Sequence, residues 1–230
     1  MAMLFRPAAR FRGLPQEAFR AFGIRDRESR RRAIVEGFHP GLRLLGEDLL
    51  EILGPRTEAP LHAHLPRLDW PQGYQPFCTW LAVSHESHGY QAGPQLNVGV
   101  HEDYVAIRLG WDPAADAFGR FEFLCRHGGL GAALAGIAAD REFRFRVYAA
   151  AGWPQGSRLV FESGSDWSGS FDEVRRRGVW WEVGLRFDLP GAAALVHSAS
   201  LGGRAADEFS ILLPCVDRIV GVGPSEGPAG

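Results

Sequence analysis

The segment Leu61-His62-Ala63-His64-Leu65-Pro66-Arg67 sets two imidazoles two residues apart and follows them with a guanidinium. In an extended chain alternate residues point the same way, so His62 and His64 share a side and have the spacing to chelate a divalent metal. A working centre needs at least one further ligand, for which His85, His88, His101 and Asp103 are candidates. A zinc-bound hydroxide held there would serve a hydrolase, with Asp103 or Glu86 as general base. The ordinary alternative is a set of hydrogen-bonding loop histidines, and eight His in 230 residues is too mild an enrichment to displace it. The primary reading therefore assigns no metal and no cofactor, and the His62/His64 hydrolase stands as the alternative.

Other reactive groups give less. Ser84-His85 and Ser87-His88 are sequence neighbours without a triad, and no G-x-S-x-G elbow follows a strand. Cys78 alternates with Trp80 as a core residue would, and Gly128-Gly129-Leu130-Gly131 lacks the G-x-G-x-x-G pattern of a dinucleotide loop. All 25 basic residues are arginine and none is lysine. Schiff-base chemistry, a P-loop lysine and a kinase-type lysine are thereby excluded.

Charge bears on partners. Against 27 acidic residues the 25 arginines leave a net charge of -2, which gives no global field for a polyphosphate. Arg30-Arg31-Arg32 and Arg175-Arg176-Arg177, the latter near Trp180-Trp181, have the composition of a nucleic-acid surface. Consecutive helical residues point about 100° apart, however, so neither run makes one patch by itself. A nucleic-acid accessory role is the third reading. No apolar run approaches the roughly 18 residues that span a bilayer, so no membrane is expected. Cys78, Cys125 and Cys215 are widely spaced and show no C-x-x-C, which points to a reducing cytoplasm and not to a disulfide framework.

These groups must be positioned by elements that the periodicity locates. Apolar residues recur at helical spacing from Gln16 to Leu53, with Ile34, Phe38, Leu42, Leu45, Leu49 and Leu53 forming one stripe. Asp26 is the expected N-cap, Pro40 should kink the helix or start a second one, and Gly54-Pro55 ends it. Phe77 to Ser84, Leu96 to His101 and Tyr104 to Leu109 alternate as strands, the last two forming a hairpin about Glu102-Asp103. Residues 113–139 read as one broken or two short helices. Phe143 to Tyr148, Arg158 to Phe161 and Val179 to Phe187 return to strand, and a helix is expected over residues 205–219. Helix, strands and helix without regular βαβ alternation predict an α+β fold, a largely antiparallel sheet with N-terminal, middle and C-terminal helices packed on one side. One domain over residues 1–220 is expected, with a frayed start through Arg12 and a mobile Gly/Pro-rich tail over residues 221–230.

The strands have one apolar face, while the other carries Trp80, Asn97, Arg108, Arg144, Arg146, Glu182 and Arg186. In an ordinary half-covered antiparallel sheet that second face is solvated. If it is roofed over instead, its arginines can grip an anion through paired N–H donors.

One resemblance sharpens this. Phe19, Phe22 and Ile24, the following helix with Arg31, Ile34 and Pro40, Leu45-Gly46, His64 with Arg67, Thr79-Trp80, Gly89-Tyr90, Pro94 and Val98-Gly99 occur in order and approximate spacing. In these residues the stretch from Phe19 to Trp111 resembles the YktB-like family of uncharacterised bacterial proteins. The chain departs from that pattern at His88, where the family tends to have arginine, and at Gln95, where it tends to have histidine. The resemblance implies a compact intracellular α+β domain and a cleft made by His64, Arg67, Thr79, Trp80, Tyr90, Gln95 and Asn97. With Arg108 added from the strand pattern, the expected function is binding of a small polar or anionic ligand on the polar face of the sheet. Arg67 and Arg108 would meet the anion, Trp80 and Tyr90 would form an aromatic wall, and His64, Gln95 and Asn97 would fix orientation.

Overall fold

Asp26 holds an extended backbone and its carboxylate accepts the Ser29 backbone N–H at 2.8 Å, which caps helix α1, Arg27–Leu53. The computed structural model describes residues 9–68, 76–112, 114, 115, 117–141, 144–149, 159–161, 171, 172, 175, 176 and 179–222. Ile34, Phe38, Leu42, Leu45, Leu49 and Leu53 are all fully buried along one side of α1, as their spacing requires. Pro40 starts no second helix, because α1 runs through it. Pro40 and Glu36, whose carbonyl loses its usual donor, both sit on the exposed side, where water replaces the missing N–H. Before α1, a 3-10 helix at Gln16–Gly23 buries Ala18, Ala21 and Phe22.

The start of the chain departs from expectation. Residues 9–12 are not frayed: the Asp48 carboxylate on α1 accepts the Arg10 N–H at 2.9 and 3.0 Å and the Phe11 N–H at 2.9 Å. Two backbone donors gathered by one carboxylate seat Phe11 and Leu14 in the core. Residues 1–8 lie outside the described residues, as do residues 223–230 of the expected mobile tail.

The strands are β1 (His62–His64), β2 (Cys78–Ser84), β3 (Gln95–His101), β4 (Tyr104–Trp111), β5 (Arg144–Ala149), β6 (Leu159–Phe161) and β7 (Val179–Asp188). They form one seven-stranded sheet in the order β1-β2-β3-β4-β7-β5-β6, and every pairing between described strands is antiparallel. Helices α2 (Ala117–His127) and α3 (Leu130–Arg141) separate the hairpin from β5, and α4 (Ala193–Val196) and α5 (Ser200–Val220) follow β7. The fold is α+β.

Pairing register puts Leu81, Val98, Ile107 and Leu185 in one transverse row of the sheet and Val83, Leu96, Leu109 and Val183 in the next. This apolar face meets the helices: α1 packs on β1 and β2, α5 packs on β3 and β4, and α2 and α3 pack against α5. Helix α5 begins at Ser200, earlier than its apolar period indicates. Gly202 and Gly203, weak helix formers, mask that first turn in the sequence. A Cβ built on Gly202 would lie 3.1 Å from the Phe11 ring and 3.4 Å from Leu45, so the glycine lets α5 approach α1. Among the described residues no helix is long and apolar enough to cross a membrane.

Candidate functional site

The second face of the sheet is built by the complementary register. His64, Ala82, Asn97 and Arg108 form one row across β1, β2, β3 and β4, spanning about 14 Å at normal strand spacing. Ser84, Gln95, Gly110 and Glu182 belong to the row beside it, and Trp80, Gly99, Ala106 and Arg186 to the row on the other side. Gln95 is 1% exposed, Asn97 6%, His101 5% and Glu182 7%. These values overturn the solvated-face reading for the central strands, because side chains on an open sheet face would be wet.

Burial of that many polar groups requires partners. Arg108 Nε donates to Asn97 Oδ1 at 3.1 Å, Asn97 Nδ2 donates to Gln95 Oε1 at 3.1 Å, and Gln95 Nε2 donates to the Tyr90 carbonyl at 3.2 Å. At the other end both carboxylate oxygens of Glu182 lie 3.0 Å from Arg108 Nη1. The arginine thus spends its charge on Glu182. A Cβ built on Gly99 would lie 2.7 Å from Arg108 Nη2, so the glycine makes the room in which the guanidinium lies.

The row opens at the β1 edge into a corner of three half-buried rings. Tyr90 opens the short 3-10 turn Tyr90–Ala92. Its ring centroid is 5.8 Å from that of Trp80, edge to face, and 6.1 Å from that of His64. His64 Nε2 donates to the Glu86 carbonyl at 2.7 Å. The Trp80 indole N–H is buried, with the Tyr90 hydroxyl as its hydrogen-bonding neighbour. Burial pushes the Tyr90 hydroxyl up to about 12, opposed by a hydrogen bond from the Trp80 side chain. Burial likewise pushes the Cys78 thiol up to about 12, so it offers no thiolate nucleophile.

His64, Trp80, Tyr90, Gln95, Asn97 and Arg108 are thus brought to one face, and two other candidates are not. Thr79 projects to the helix side, fully buried, where its Oγ1 meets His39 Nε2 at 3.0 Å. Burial holds the His39 imidazole below its ordinary value, which keeps that ring neutral. Arg67 is exposed, and no hydrogen bond or ion pair ties it to the cluster among the described residues.

The metal candidates are scattered. His62 and His64 have ring centroids 6.4 Å apart. His101 pairs with Cys78, four residues along β2 from the His64 partner Ala82, which is roughly 13 Å away. His101 stacks on Tyr104 at 4.0 Å, and Asp103 lies 3.7 Å from Arg186. His85 is bound by Asp217 Oδ1 at 2.8 Å and by the Pro60 carbonyl at 2.9 Å, and His88 is exposed. Among the described residues no group of three His, Cys, Asp or Glu is arranged to hold a metal ion. The arginine run on α1 also divides: Arg30 reaches the Ile24 and Pro76 carbonyls, while Arg31 pairs with Glu28. Arg177 lies outside the described residues.

The matches to known proteins cover this same half of the chain. A family model described as a domain of unknown function (DUF1054) matches residues 14–115. Over that span the chain is YktB-like. Similar proteins include a UPF0637 protein of Listeria monocytogenes serotype 4b, 29% identical over 101 residues, 44% of this chain and 50% of the relative. A UPF0637 protein of Oceanobacillus iheyensis is 32% identical over 97 residues, 42% of this chain and 47% of the relative. One from Staphylococcus carnosus is 30% identical over 95 residues, 41% and 47%. The chain spans about half the length of the curated relatives it matches.

The YktB-like span contains every ring of the corner and Arg108, but not Glu182, which arrives on β7. Alternation along β7 marks Glu182 as a residue of this face. Only the strand order, which inserts β7 beside β4, makes it the partner of Arg108.

Proposed function

We propose that this protein binds a small polar or anionic ligand at the corner framed by His64, Trp80 and Tyr90, with Gln95, Asn97 and Arg108 behind it. The observation that carries this reading is the enclosed hydrogen-bonded row from the Tyr90 carbonyl to Glu182. A face with a purely structural task is more cheaply filled with apolar side chains, since buried polar groups and ion pairs cost desolvation. A row held rigid by its own hydrogen bonds and ending in half-buried aromatic rings is the form a preorganised recognition site takes.

In this reading Trp80 and Tyr90 form the wall, while His64 orients the ligand. Gln95 positions Tyr90 through its backbone. Arg108 with Glu182 fixes the Asn97 amide, and Arg67, exposed three residues after His64, meets charge from outside.

Thermal-shift titration with phosphate, sulfate, acetate and acetamide tests the reading on the parent, Arg67→Ala, Asn97→Ala and Trp80→Phe chains. At least one probe should raise the parent Tm in a saturable way, and Trp80→Phe and Asn97→Ala should abolish that rise. Equal shifts in all four chains overturn the proposal.

A further inference from the structure

We infer that the cavity between α1, the first turn of α5 and the N-terminal stretch is a second binding site, one that takes a primary ammonium carried on an aromatic or short aliphatic body. It lies on the helical side of the sheet and does not depend on the corner described above.

The space comes first. A cavity of about 290 Å3 lies between α1 and the start of α5, roughly twice the volume that suffices for one benzene ring. Phe11, Leu49 and Ile52 give it apolar walls, and the first turn of α5 contributes Gly202 and Gly203, which carry no side chain to fill it. Ala199, also in the wall, is exposed, so the cavity reaches solvent there.

One charged group lines it. The Asp48 carboxylate is 9% exposed and is held by neutral donors alone: the Arg10 N–H at 3.0 Å from Oδ1 and 2.9 Å from Oδ2, and the Phe11 N–H at 2.9 Å from Oδ2. No cation pairs with it among the described residues. The Arg10 guanidinium turns instead to Glu47 at 3.0 Å and to Glu51, and Arg204, beside the two glycines, pairs with Glu208 at 2.8 Å. Backbone N–H groups solvate a carboxylate but leave its charge in place, and in a poorly hydrated cavity that charge acts strongly on whatever enters. A carboxylate offers about four lone-pair sites, and Oδ1 takes only a share of one bond, so it can still accept.

Charge and shape together choose the ligand. Glu47 and Glu51 set two more carboxylates near the cavity against the one Arg10 guanidinium, so an anion is repelled. A bare metal ion needs several ligands at once, and among the described residues none are grouped to supply them. An organic ammonium matches both features: its apolar body covers Phe11, Leu49 and Ile52, and one N–H reaches Asp48 Oδ1.

2-Phenylethylammonium, 2-phenylethanol and phenylacetate share a ring and a short arm and differ in charge. The test follows the Ile δ1-methyl signals of the full 13C-labelled chain during titration with each, the Ile52 signal being assigned by its absence in Ile52→Val. The ammonium is expected to move that signal saturably, with a Kd on the order of 1 mM for so small a probe. The alcohol and phenylacetate should bind more weakly by about tenfold or more. Asp48→Asn should bring the ammonium down to the affinity of the alcohol and leave the alcohol unchanged. Ala199→Leu, which puts a side chain into the cavity and keeps Asp48, should weaken ammonium and alcohol alike. The ranking of the three probes on the parent chain needs no variant, so the test stands even where Asp48→Asn fails to fold. Equal affinities of ammonium and alcohol for the parent overturn the inference, and so does an Ile52 signal that none of the three probes moves.

Discussion

Breaking the Arg108–Glu182 pair should cost far more than breaking an ordinary surface ion pair, and removing both partners should cost little more than removing one. Their side chains are 11% and 9% exposed and the contact is 3.0 Å. At an effective dielectric of ~20 and that separation the Coulomb attraction is roughly 5 kcal/mol, part of which is offset by desolvation of both groups. Arg108→Gln and Glu182→Gln should each destabilise by about 3 kcal/mol, because each leaves one charge enclosed beside neutral partners. The double variant keeps two hydrogen-bonding amides and no charge, so its loss should also be about 3 kcal/mol and the coupling energy about 3 kcal/mol. Urea unfolding of the four chains, with a common m-value, measures the cycle. Losses that add within about 0.5 kcal/mol would refute the reasoning, because they would place the pair in a solvent-like dielectric and the face in contact with bulk water.

Three further outcomes follow from local geometry. Gly13→Ala should destabilise by roughly 3 kcal/mol or more in chemical denaturation: its φ is +117° and a Cβ would lie 2.3 Å from the His197 backbone carbon. An unchanged midpoint would contradict that clash. Thr79→Val should cost about 1–3 kcal/mol by leaving buried His39 without its partner, yet leave ligand affinity unchanged, because Thr79 faces the helices. Weakened ligand binding in a folded Thr79→Val chain would contradict its placement. Burial raises the Glu208 carboxyl above its ordinary 4.5, with Arg204 and Arg141 opposing. The unfolded chain then loses this proton at lower pH than the folded one, so Glu208 lowers stability as pH rises through 4.5 and beyond. Glu208→Gln should accordingly be more stable than the parent at pH 7, with the gain shrinking below pH ~4; a gain that grows toward acid would contradict the sign.

Much of the fold was legible because its elements are amphipathic. The stripe from Ile34 to Leu53 and the alternation of β2, β3, β4 and β7 each declare a buried face, and the structure buries those faces. What stayed hidden depends on which elements meet. Arg10 and Phe11 read as a loose start until Asp48 faces them, and Glu182 read as a surface carboxylate until β7 lies beside β4. The two glycines of α5 obscured its first turn for a local reason, low helix propensity, that close packing against Phe11 outweighs. Alternation already placed Thr79 with Leu81 and away from Trp80; the family resemblance, which carries order but not facing, grouped Thr79 with the site residues. The ring corner was legible as a set of residues and not as a geometry, since Tyr90 reaches Trp80 only through the turn that Gln95 anchors.

The central claim is that the enclosed polar face ends in a corner of His64, Trp80 and Tyr90 that takes a small polar ligand. A high-resolution crystal structure of this chain grown with whichever of phosphate, sulfate, acetate and acetamide most raises its Tm tests it most directly. The account predicts one bound probe in contact with the His64, Trp80 and Tyr90 rings, within about 4 Å of each. A corner filled by the protein's own side chains, with no probe against those rings, would contradict it.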